Sequence, residues 1–585
     1  MGESNAKVAR LLGELARLTE LDEGDPNAFR VRAYRNAQRA VEGLDADVAG
    51  MTAADLAKVR GIGKSIAGRI REYVDTSTIE RLEELRRAHP ASVAALRDVP
   101  GLGPKSIRVL VEQLGIADLD GLVEALDDGR VAALDGFGQR TVDKLRAGID
   151  ELGLTSKQRR VPLADALDVA GRIVAAFERA GARRVTPAGS TRRFVETVGD
   201  LDVLVDVDDD LDIEAVLGAA VDINRVIGSG STKVSVAADG LQIDVRRVPA
   251  GSFGAALIYF TGSRDHNIRL RQRALDRGLT LNEYGFRPHA NHDHAESQGL
   301  FDEAAMTEEG VYRQLEMAWV PPEIREDDGE IEAAADGSLP RLIESEDIQG
   351  DLHVHTDVSG DGRDSLEVMV DAAVLAGLSY LATTDHAEGL AINGATRRQM
   401  LDQRRQLHDL EQSRGDIRLL HGAELNIGAD GGLDYDAKFL RGFDWLVASV
   451  HSHFDLDVAD QSRRVIAAMR HPSITAIGHL TGRMIGRRPS IKLDIDAILD
   501  AAVETNTAIE INASLRRLEP PREVLRQAAR RGVPLVLSTD AHSKGELSRR
   551  QHGIAHARGA WITSDHVLNT RSSDEFERWL GDRIG

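Results

Sequence analysis

The sequence contains no cysteine, and only 10 of its 73 basic residues are lysine, which leaves 63 arginines. Without cysteine the chain can form neither a disulfide nor a thiolate metal site, so any metal must be held by His, Asp or Glu. No window approaches the roughly eighteen consecutive apolar residues that a membrane-spanning helix needs. The N-terminus lacks the charged-then-apolar order of a signal peptide. We therefore expect a cytoplasmic protein.

The chain is long and strongly acidic. Its 585 residues predict about three or four domains. The 95 acidic residues give a net charge of −22. This balance fits either an ordinary acidic cytosolic protein or a surface adapted to concentrated salt, and the scarcity of lysine favours the second interpretation. Net charge does not exclude nucleic-acid binding, because binding depends on where the arginines cluster.

Residues 1–150 are predicted to be almost wholly helical and contain a threefold repeat. In each copy an apolar residue (Ile70, Leu110 or Leu145) lies nine positions after the first glycine of a Gly-apolar-Gly turn. One such turn could simply join two helices, but three copies favour a function. A Gly-rich turn that leads into a helix presents backbone N–H groups to a phosphate, a contact that reads no base sequence. The predicted DNA-backbone contacts are Gly61, Gly63, Gly101, Gly103, Gly136 and Gly138.

The segment AGSTRRFVETVGDLDVLVDV predicts a site with paired carboxylates. Asp200 and Asp202 are two residues apart on a predicted strand, so both side chains face one way. Such a pair suits two Mg²⁺ ions about 3.5–4 Å apart. Asp244, in the strand-like GLQIDVRRV, is the predicted third carboxylate. An acid-rich exposed strand is the alternative, but the preceding Gly-Ser turn with Arg192 and Arg193 favours a site.

The C-terminal part alternates short apolar runs with amphipathic helical stretches. Residues 321–349 are acidic and lack aromatic residues, which predicts a linker. From Gly350 onward, seven apolar runs nearly all end on His, Asp or Glu. Strands that alternate with helices predict a parallel arrangement. We expect a barrel with its site at the carboxyl ends of the strands, with an open doubly wound sheet as the alternative.

Histidine is concentrated in this C-terminal part. Of the 18 histidines, 13 follow residue 350, and several occur in the patterns HVH, TDH, HSH and DAH. Two imidazoles in a His-x-His pattern on a strand face the same side and can bind one ion. Imidazoles mixed with carboxylates favour Mn²⁺, Zn²⁺ or Fe²⁺ over Ca²⁺.

The sequence resembles the family X DNA polymerases. GSTRR followed by GDLDVLV is similar to their nucleotidyltransferase signature, and YFTGSRDHNIRLRQRALDRGLTLNEYGFR to their thumb-side nucleotide-binding segment. The Gly-x-Gly turns resemble helix-hairpin-helix elements, and FRVRAYRNA resembles the small DNA-end-binding domain. The triplet Arg264, Asp265 and His266 departs from the pattern of the beta-type enzymes.

This resemblance implies roles for individual residues. It implies that Ser190 and Arg193 bind the triphosphate. Tyr259 and Phe260 would flank the sugar, with Gly262 in the same segment. Asn267 and Arg271 would meet the incoming base and the template, Arg30 and Tyr34 a downstream 5′-phosphate, and Lys233 the DNA backbone. The three carboxylates would hold Mg²⁺ or Mn²⁺.

Residues 350 to about 570 resemble the polymerase and histidinol phosphatase (PHP) domain. The resemblance implies a site for up to three Mn²⁺ or Zn²⁺ ions and 3′–5′ exonuclease or 3′-end-cleaning chemistry by metal-activated water. Its implied ligands are His353, His355, Asp361, His386, Glu424, His451, His479, Asp540 and His542.

Together these resemblances imply a multidomain polymerase that fills short gaps in base excision repair. We expect an all-α helix-hairpin-helix N-terminal region, an α+β nucleotidyltransferase palm with thumb, and a distorted (β/α)7-like barrel. The partners would be gapped or primed DNA and dNTPs, and the protein a monomer. A nucleotidyltransferase for RNA or small molecules and a non-catalytic DNA-end scaffold are the alternatives. The expected boundaries are 1–85 (DNA-end domain), 86–155 (fingers-like), 156–250 (palm), 251–320 (thumb), 321–349 (linker) and 350–585 (PHP).

We predict that the protein works best in concentrated salt. DNA binding through phosphates weakens as salt rises, with a slope near −0.9 per neutralised phosphate. A lysine-poor acidic surface that is adapted to salt should nevertheless require salt for folding. Activity and thermal unfolding measured across a salt series should therefore show an optimum well above ordinary physiological salt. A stable, fully active protein in dilute buffer that loses activity as salt is added would contradict this.

Overall fold

The computed structural model describes residues 3–584 except 24–27, 43, 45–47, 60, 77, 89–95, 97–98, 100–101, 117–118, 135, 152–159, 290–297 and 391. The chain forms two compact units, residues 1–159 and 160–585. Within the described residues, no helix combines the length and the apolar character needed to cross a membrane.

The first unit is helical in its described part, as predicted. Its apolar side chains form one core that includes Leu12, Leu56 and Leu82. Helix α6 shows how the sequence sets its limits, with Pro104 in its first turn and Gly115 in the left-handed conformation after its last. The helices are α1 (Glu3–Glu23), α2 (Phe29–Glu42), α3 (Ala53–Leu56), α4 (Lys64–Thr76), α5 (Glu80–Ala88), α6 (Pro104–Leu114), α7 (Leu119–Asp127) and α8 (Gln139–Glu151).

The threefold repeat has one geometry in all three copies. The amide of the residue between the two glycines (Ile62, Leu102 or Phe137) donates to the carbonyl three residues earlier at 3.0–3.1 Å. A helix begins directly after each second glycine, and Ile70, Leu110 and Leu145 are buried. Of the predicted DNA contacts here, Gly61, Gly63, Gly103, Gly136 and Gly138 are exposed at these turns, and Gly101 lies outside the described residues.

The two residues predicted to hold a 5′-phosphate differ in their exposure to solvent. Arg30 is exposed on α2, as that role requires. Tyr34 is only 3% exposed and belongs to the hydrophobic core, with the Arg69 guanidinium 5.6 Å from its ring centroid. The ring of Tyr34 therefore packs inside the unit, because it lies on the apolar face of the amphipathic helix α2.

The second unit begins with a five-stranded sheet in the order β2-β4-β7-β6-β5. Strands β4 and β7 are parallel, and the other neighbours are antiparallel. Helix α9 buries Ala166, Ile173 and Phe177 in the core of this palm. The elements are β1 (Val161–Pro162), α9 (Leu163–Arg179), β2 (Arg184–Pro187), α10 (Gly189–Arg192), β3 (Thr197–Val198), β4 (Asp200–Asp206), α11 (Ile213–Ala220), β5 (Ile223–Ser229), β6 (Lys233–Ala238) and β7 (Leu241–Arg247).

A mainly helical thumb region follows the palm. Its core includes Ile258, Leu270, Leu281 and Tyr312. The elements are α12 (Phe253–Thr261), α13 (Arg264–Leu275), β8 (Leu279–Asn282), β9 (Gly285–Pro288), α14 (Gln298–Ala305) and α15 (Glu308–Gln314).

Residues 321–349 are not the solvated linker that their composition predicts. They form a short 3₁₀ turn (Pro322–Ile324) and helix α16 (Glu330–Asp336), and Ile324, Ile331 and Leu342 pack into the thumb core. Two of the charged residues are fully buried. Arg325 binds both carboxylate oxygens of Glu308, at 2.8 and 3.1 Å. Glu330 accepts from His266, the residue that departs from the family pattern, at 2.6 Å.

The C-terminal region is a seven-stranded parallel barrel. Its strands follow one another in sequence order from β10 to β16, and each predicted apolar run forms one of them. Val354 at the end of β10 pairs in parallel with Ala541 beyond β16, and the His355 amide donates to Ala541 at 2.8 Å. This contact between the first and last strands excludes the open doubly wound sheet, in which the strand order reverses.

The barrel strands alternate with helices that cover the outside of the barrel. The elements are β10 (Gly350–Val354), α17 (Leu366–Leu375), β11 (Tyr380–Thr383), α18 (Arg397–Arg414), β12 (Arg418–Asn426), α19 (Ala437–Leu440), β13 (Trp445–Ser449), α20 (Val458–Met469), β14 (Ala476–Ile477), α21 (Ile495–Thr505), β15 (Ala508–Asn512), α22 (Arg522–Arg531), β16 (Leu535–Ser538), α23 (Arg550–Gly559) and α24 (Ser573–Ile584).

The palm and the barrel share buried contacts. Leu518, in a barrel loop, belongs to the hydrophobic core of the palm. Arg483 binds both carboxylate oxygens of Glu196, at 2.9 and 2.7 Å. Arg522 donates to the backbone carbonyls of Arg193 and Phe194, at 3.0 and 2.7 Å. The barrel therefore holds the backbone of the palm directly after α10.

We predict that Arg325→Met strongly destabilises the second unit. The substitution removes the buried guanidinium that binds Glu308 and the carbonyl of Val320, and leaves the buried carboxylate with Arg192 as its one charged partner among the described residues. Removing one partner of a buried ion pair costs about 3–5 kcal/mol. Urea denaturation followed by circular dichroism should show a lower midpoint.

Arg341→Met is the matched control. Arg341 pairs with Glu344 and Asp347, but 59% of its side chain is exposed. Water screens exposed pairs, which contribute little to stability, so this variant should unfold close to the wild type. Equal midpoints for the two variants would show that the buried pair does not hold residues 321–349 in place.

Candidate active sites

The palm sheet brings the three predicted carboxylates together. Asp200 and Asp202 lie on β4, and the parallel pairing with β7 places Asp202 directly opposite Asp244. Burial, together with the negative charges of Asp200 and Asp244, raises the pKa of Asp202 to about 7. A group of three carboxylates suits divalent cations, whose positive charge would relieve the repulsion between the carboxylates.

Cationic side chains lie beside these carboxylates. Lys233 on β6 places its Nζ 2.6 Å from Asp244 Oδ2. Burial alone would raise the pKa of Asp244, but hydrogen bonds from Lys233, Ser235 and Gln242 outweigh it and hold that pKa below its ordinary value. Lys233, predicted to contact the DNA backbone, therefore contacts a carboxylate of the site in this structure.

The turn that carries the predicted triphosphate residues faces the carboxylates. Gly189, at the start of α10, has φ of 61°, and a Cβ there would lie 3.4 Å from Asp202 Oδ2. The Arg193 guanidinium donates to Glu326 at 2.8 Å and to the carbonyl of Thr261. Gly189 and Ser190 therefore line the same cleft as Asp200 and Asp202.

The predicted substrate-binding residues line one open cleft. Tyr259 and Phe260 meet edge to face with their ring centroids 5.0 Å apart. The side-chain amide of Asn267 donates to the backbone carbonyl of Tyr259 at 2.7 Å. The cleft is lined by Arg160, Gly189, Ser190, Arg193, Asp200, Asp202, Tyr259, Phe260, Thr261, Gly262, Arg264, Asn267 and Arg271. Arg160 and Arg264 were not assigned a role from the sequence.

The barrel brings all nine predicted ligands together at the carboxyl ends of its strands. Glu424 is central, because its two oxygens lie 2.8–3.7 Å from nitrogens of five histidines. Three groups have ligand atoms within 4.8 Å of one another: His355, His386 and His542; His353, His355 and Asp540; and His386, Glu424 and His451.

Asp361 also reaches this cluster, although an extra glycine precedes it in the sequence. Its Oδ2 lies 3.3 Å from His386 Nε2 and 3.5 Å from His542 Nε2. Asn393 donates to the same oxygen at 2.8 Å. Burial would raise the pKa of Asp361, but the two imidazoles outweigh it and hold that pKa far below its ordinary value.

Burial and neighbouring charges shift the pKa values of the imidazoles of the cluster in different directions. Burial and the neighbouring His386 lower the pKa of His355 to about 3, which keeps this imidazole neutral, as a metal ligand must be. Burial alone would lower the pKa of His386, but the carboxylates of Glu424 and Asp361 outweigh it and raise that pKa to about 10. Several buried atoms have no hydrogen-bond partner in the described part of the chain, among them Nε2 of His353, both ring nitrogens of His355, and Asp361 Oδ1. Bound cations would satisfy these atoms.

Residues outside the predicted set orient the ligands. Glu510 on β15 lies 2.6 Å from His353 Nδ1 and accepts from the His479 amide at 2.7 Å. The Asn426 side-chain oxygen accepts from His451 Nδ1 at 2.7 Å. Such partners fix the ring orientation of a ligating histidine. The sequence signal for Glu510 was its place in the apolar run AIEINAS, where an unpaired carboxylate is unusual.

Four family models match the chain. Residues 3–79 match a helix-hairpin-helix domain and residues 93–151 a SAM-like helix-hairpin-helix tandem. Residues 256–326 match the DNA polymerase beta thumb, and residues 351–514 the PHP domain. These matches agree with the order of regions predicted from the sequence.

Whole-chain similarity extends this result. The chain is 36% identical over 578 residues to the DNA polymerase/3′-5′ exonuclease PolX of Bacillus subtilis, covering 98% of each protein. Its C-terminal part is also similar to probable phosphatases, at 28% identity in Acetivibrio thermocellus (39% of this chain, 94% of that protein) and 30% in Caldicellulosiruptor saccharolyticus (34% and 83%). The chain therefore belongs to the family X DNA polymerases that carry a C-terminal PHP domain.

Proposed function

We propose that this protein is a DNA-directed DNA polymerase that fills short gaps in base excision repair. The observation that carries the proposal is the pairing of Asp202 with Asp244 across β4 and β7, beside the turn that carries Ser190 and Arg193. The name of the Bacillus subtilis relative, a polymerase and exonuclease, supports it. The substrates are dNTPs and gapped or primed DNA, and the protein acts as a monomer.

In this proposal the palm positions two reactants. Asp200, Asp202 and Asp244 would hold Mg²⁺ or Mn²⁺, which supplies charge neutralisation and activation of a primer hydroxyl. Ser190 and Arg193 bind the triphosphate, and the Tyr259–Phe260 pair limits the position of the sugar. Asn267 and Arg271 line the side of the cleft that would face the bases. Positioning of this kind accounts for most catalysis in phosphoryl transfer.

We propose that the barrel removes nucleotides or blocking groups from 3′ ends. The nine clustered residues would hold up to three Mn²⁺ or Zn²⁺ ions, which polarise a phosphodiester and lower the pKa of water. Glu510 and Asn426 keep the imidazoles of His353 and His451 oriented. The similarity to probable phosphatases supports phosphoester chemistry at this rim.

Two alternatives fit the fold less well. A nucleotidyltransferase for RNA or small molecules does not need the exposed Gly-x-Gly turns of the first unit. A non-catalytic DNA-end scaffold does not need three carboxylates so close that the pKa of Asp202 rises to about 7. Repulsion between buried carboxylates destabilises a fold and is typical of a catalytic site.

Asp202→Asn should abolish most nucleotide addition and leave 3′-end trimming intact. The change removes one charge from the proposed metal site and nearly preserves side-chain shape. Loss of one such electrostatic contribution costs on the order of 10²–10³-fold in rate. Primer extension and 3′ trimming should be measured on the same preparation. Asp208→Asn, which alters an exposed aspartate just beyond the opposite end of β4, is the control. Wild-type extension by Asp202→Asn would refute the palm assignment.

His353→Ala combined with His355→Ala should abolish trimming while gap filling continues. Both imidazoles are fully buried in the ligand cluster. Because metal ligands also tie strands together, circular dichroism and thermal melting must show that the double variant stays folded. His408→Ala, at an exposed histidine on α18, is the control. Trimming at the wild-type rate by a folded double variant would refute the nuclease assignment.

A further inference from the structure

Two barrel loops are rich in arginine and lack acidic residues. Residues 481–493 follow β14, and residues 513–518 follow β15. Neither segment contains Asp or Glu, although the chain as a whole carries a net charge of −22. Because both loops leave the carboxyl ends of parallel strands, they lie on the same rim as the metal-binding cluster.

Hydrogen bonds join the two loops into one surface. The Ile485 amide donates to the carbonyl of Arg516 at 2.8 Å. Met484 pairs with Arg488 within the first loop, and Arg483 Nε donates to the carbonyl of Arg517 at 2.8 Å. We call the four remaining arginines of this surface (Arg487, Arg488, Arg516 and Arg517) the arginine surface.

Carboxylates neutralise little of the arginine surface. Many other exposed arginines pair with one or two acids, as Arg341 and Arg531 do. Arg487, Arg488 and Arg516 form no ion pair within the part of the chain that the structure describes. A buried nitrogen of Arg517, Nη1, also lacks a hydrogen-bond partner there. Uncompensated guanidinium groups of this kind suit phosphate oxygens.

The surface adjoins the metal-binding cluster. Arg517 Nε lies 3.6 Å from Oδ2 of the ligand Asp540. Arg488 Nε donates to the carbonyl of Gly482 at 2.8 Å, and the Gly482 amide donates to the backbone carbonyl of the candidate ligand His479 at 2.8 Å. A phosphate one or two nucleotides from the metal cluster would therefore meet these arginines.

An aromatic ring completes the surface. The Arg488 guanidinium lies 3.9 Å from the ring centroid of the half-buried Phe454. Proteins that bind a single nucleic-acid strand combine cations that follow the backbone with aromatic rings on which bases stack. The combination of Phe454 with neighbouring guanidinium groups is typical of such a surface.

The first loop also contacts the palm. A Cβ at Gly486 would lie 3.0 Å from Pro162 Cγ. Arg160, two residues before Pro162, lines the nucleotide cleft and donates to Thr197 at 2.7 Å. The loop that carries Arg487 and Arg488 therefore contacts the short strand β1 that follows Arg160.

We propose that the arginine surface and Phe454 bind the phosphates and a base of a single DNA strand whose 3′ end occupies the metal-binding cluster. This inference rests on the proposed trimming function and adds a strand-binding site to it. A long strand reaches both the cluster and the surface. A dinucleotide without a terminal phosphate has one phosphate, which occupies the cluster, so it has none for the surface.

The test compares two substrates on full-length protein. Arg487→Gln combined with Arg516→Gln removes two exposed charges that contact neither the ligands nor the palm carboxylates. Excision from a strand of about twelve nucleotides should show KM raised about tenfold with kcat retained, since two phosphate contacts are lost. Excision from a dinucleotide should be unchanged. Arg398→Gln combined with Arg405→Gln, two exposed arginines on α18, removes the same charge elsewhere and should change neither.

A binding measurement without metal completes the test. In EDTA, the slope of log affinity against log salt for the same strand should fall by about 1.4 in the arginine-surface variant, at roughly 0.7 per phosphate of a single strand. An unchanged slope, or an equal loss on both substrates, would overturn the strand-binding site. Wild-type protein that cleaves neither substrate would instead refute the trimming function, and the salt slope would still decide whether the surface binds DNA.

Discussion

Buried arginine–carboxylate pairing holds the second unit in one arrangement. Glu308 receives Arg192 from the palm and Arg325 from residues 321–349, so one buried carboxylate joins three regions. Its pKa is held far below the ordinary value, because the two guanidinium groups outweigh the effect of burial. A buried charge must stay paired, which fixes the geometry of all three partners. Because Arg192 lies between Ser190 and Arg193, the position of this turn depends on the ion pairs of Glu308.

The same principle joins the palm to the barrel. Arg483 pairs with Glu196, and the partly buried Arg522 binds the backbone directly after α10. The two candidate active sites therefore share a rigid frame but no ligand. One site consists of carboxylates alone, which suits Mg²⁺. The other mixes carboxylates with imidazoles, which suits Mn²⁺ or Zn²⁺. Separate chemistry on one frame is the arrangement expected of a protein that both extends and trims one DNA end.

Much of the fold was predictable because its signals are local. Each barrel strand is an apolar run, and nearly every one ends on His, Asp or Glu, so both the strands and the candidate ligands could be predicted. Residues 321–349 could not be, because their charges find partners far away in sequence, as Glu330 does with His266. The contact of Glu510 with His353 could not be predicted for a related reason, since only the fold brings these two residues together. For Tyr34 the motif predicts a contact with a 5′-phosphate, whereas the structure places its ring in the hydrophobic core.

The central claim is that the palm adds nucleotides to DNA as a template directs. Primer extension across a one-nucleotide gap tests it most directly, with each dNTP and each NTP supplied singly and Mg²⁺ or Mn²⁺ present. The structure predicts addition of the dNTP that is complementary to the template base, at the cleft between the turn with Ser190 and the Tyr259–Phe260 pair. Addition that ignores the template, or tight binding of the gapped DNA without any addition, would contradict the account.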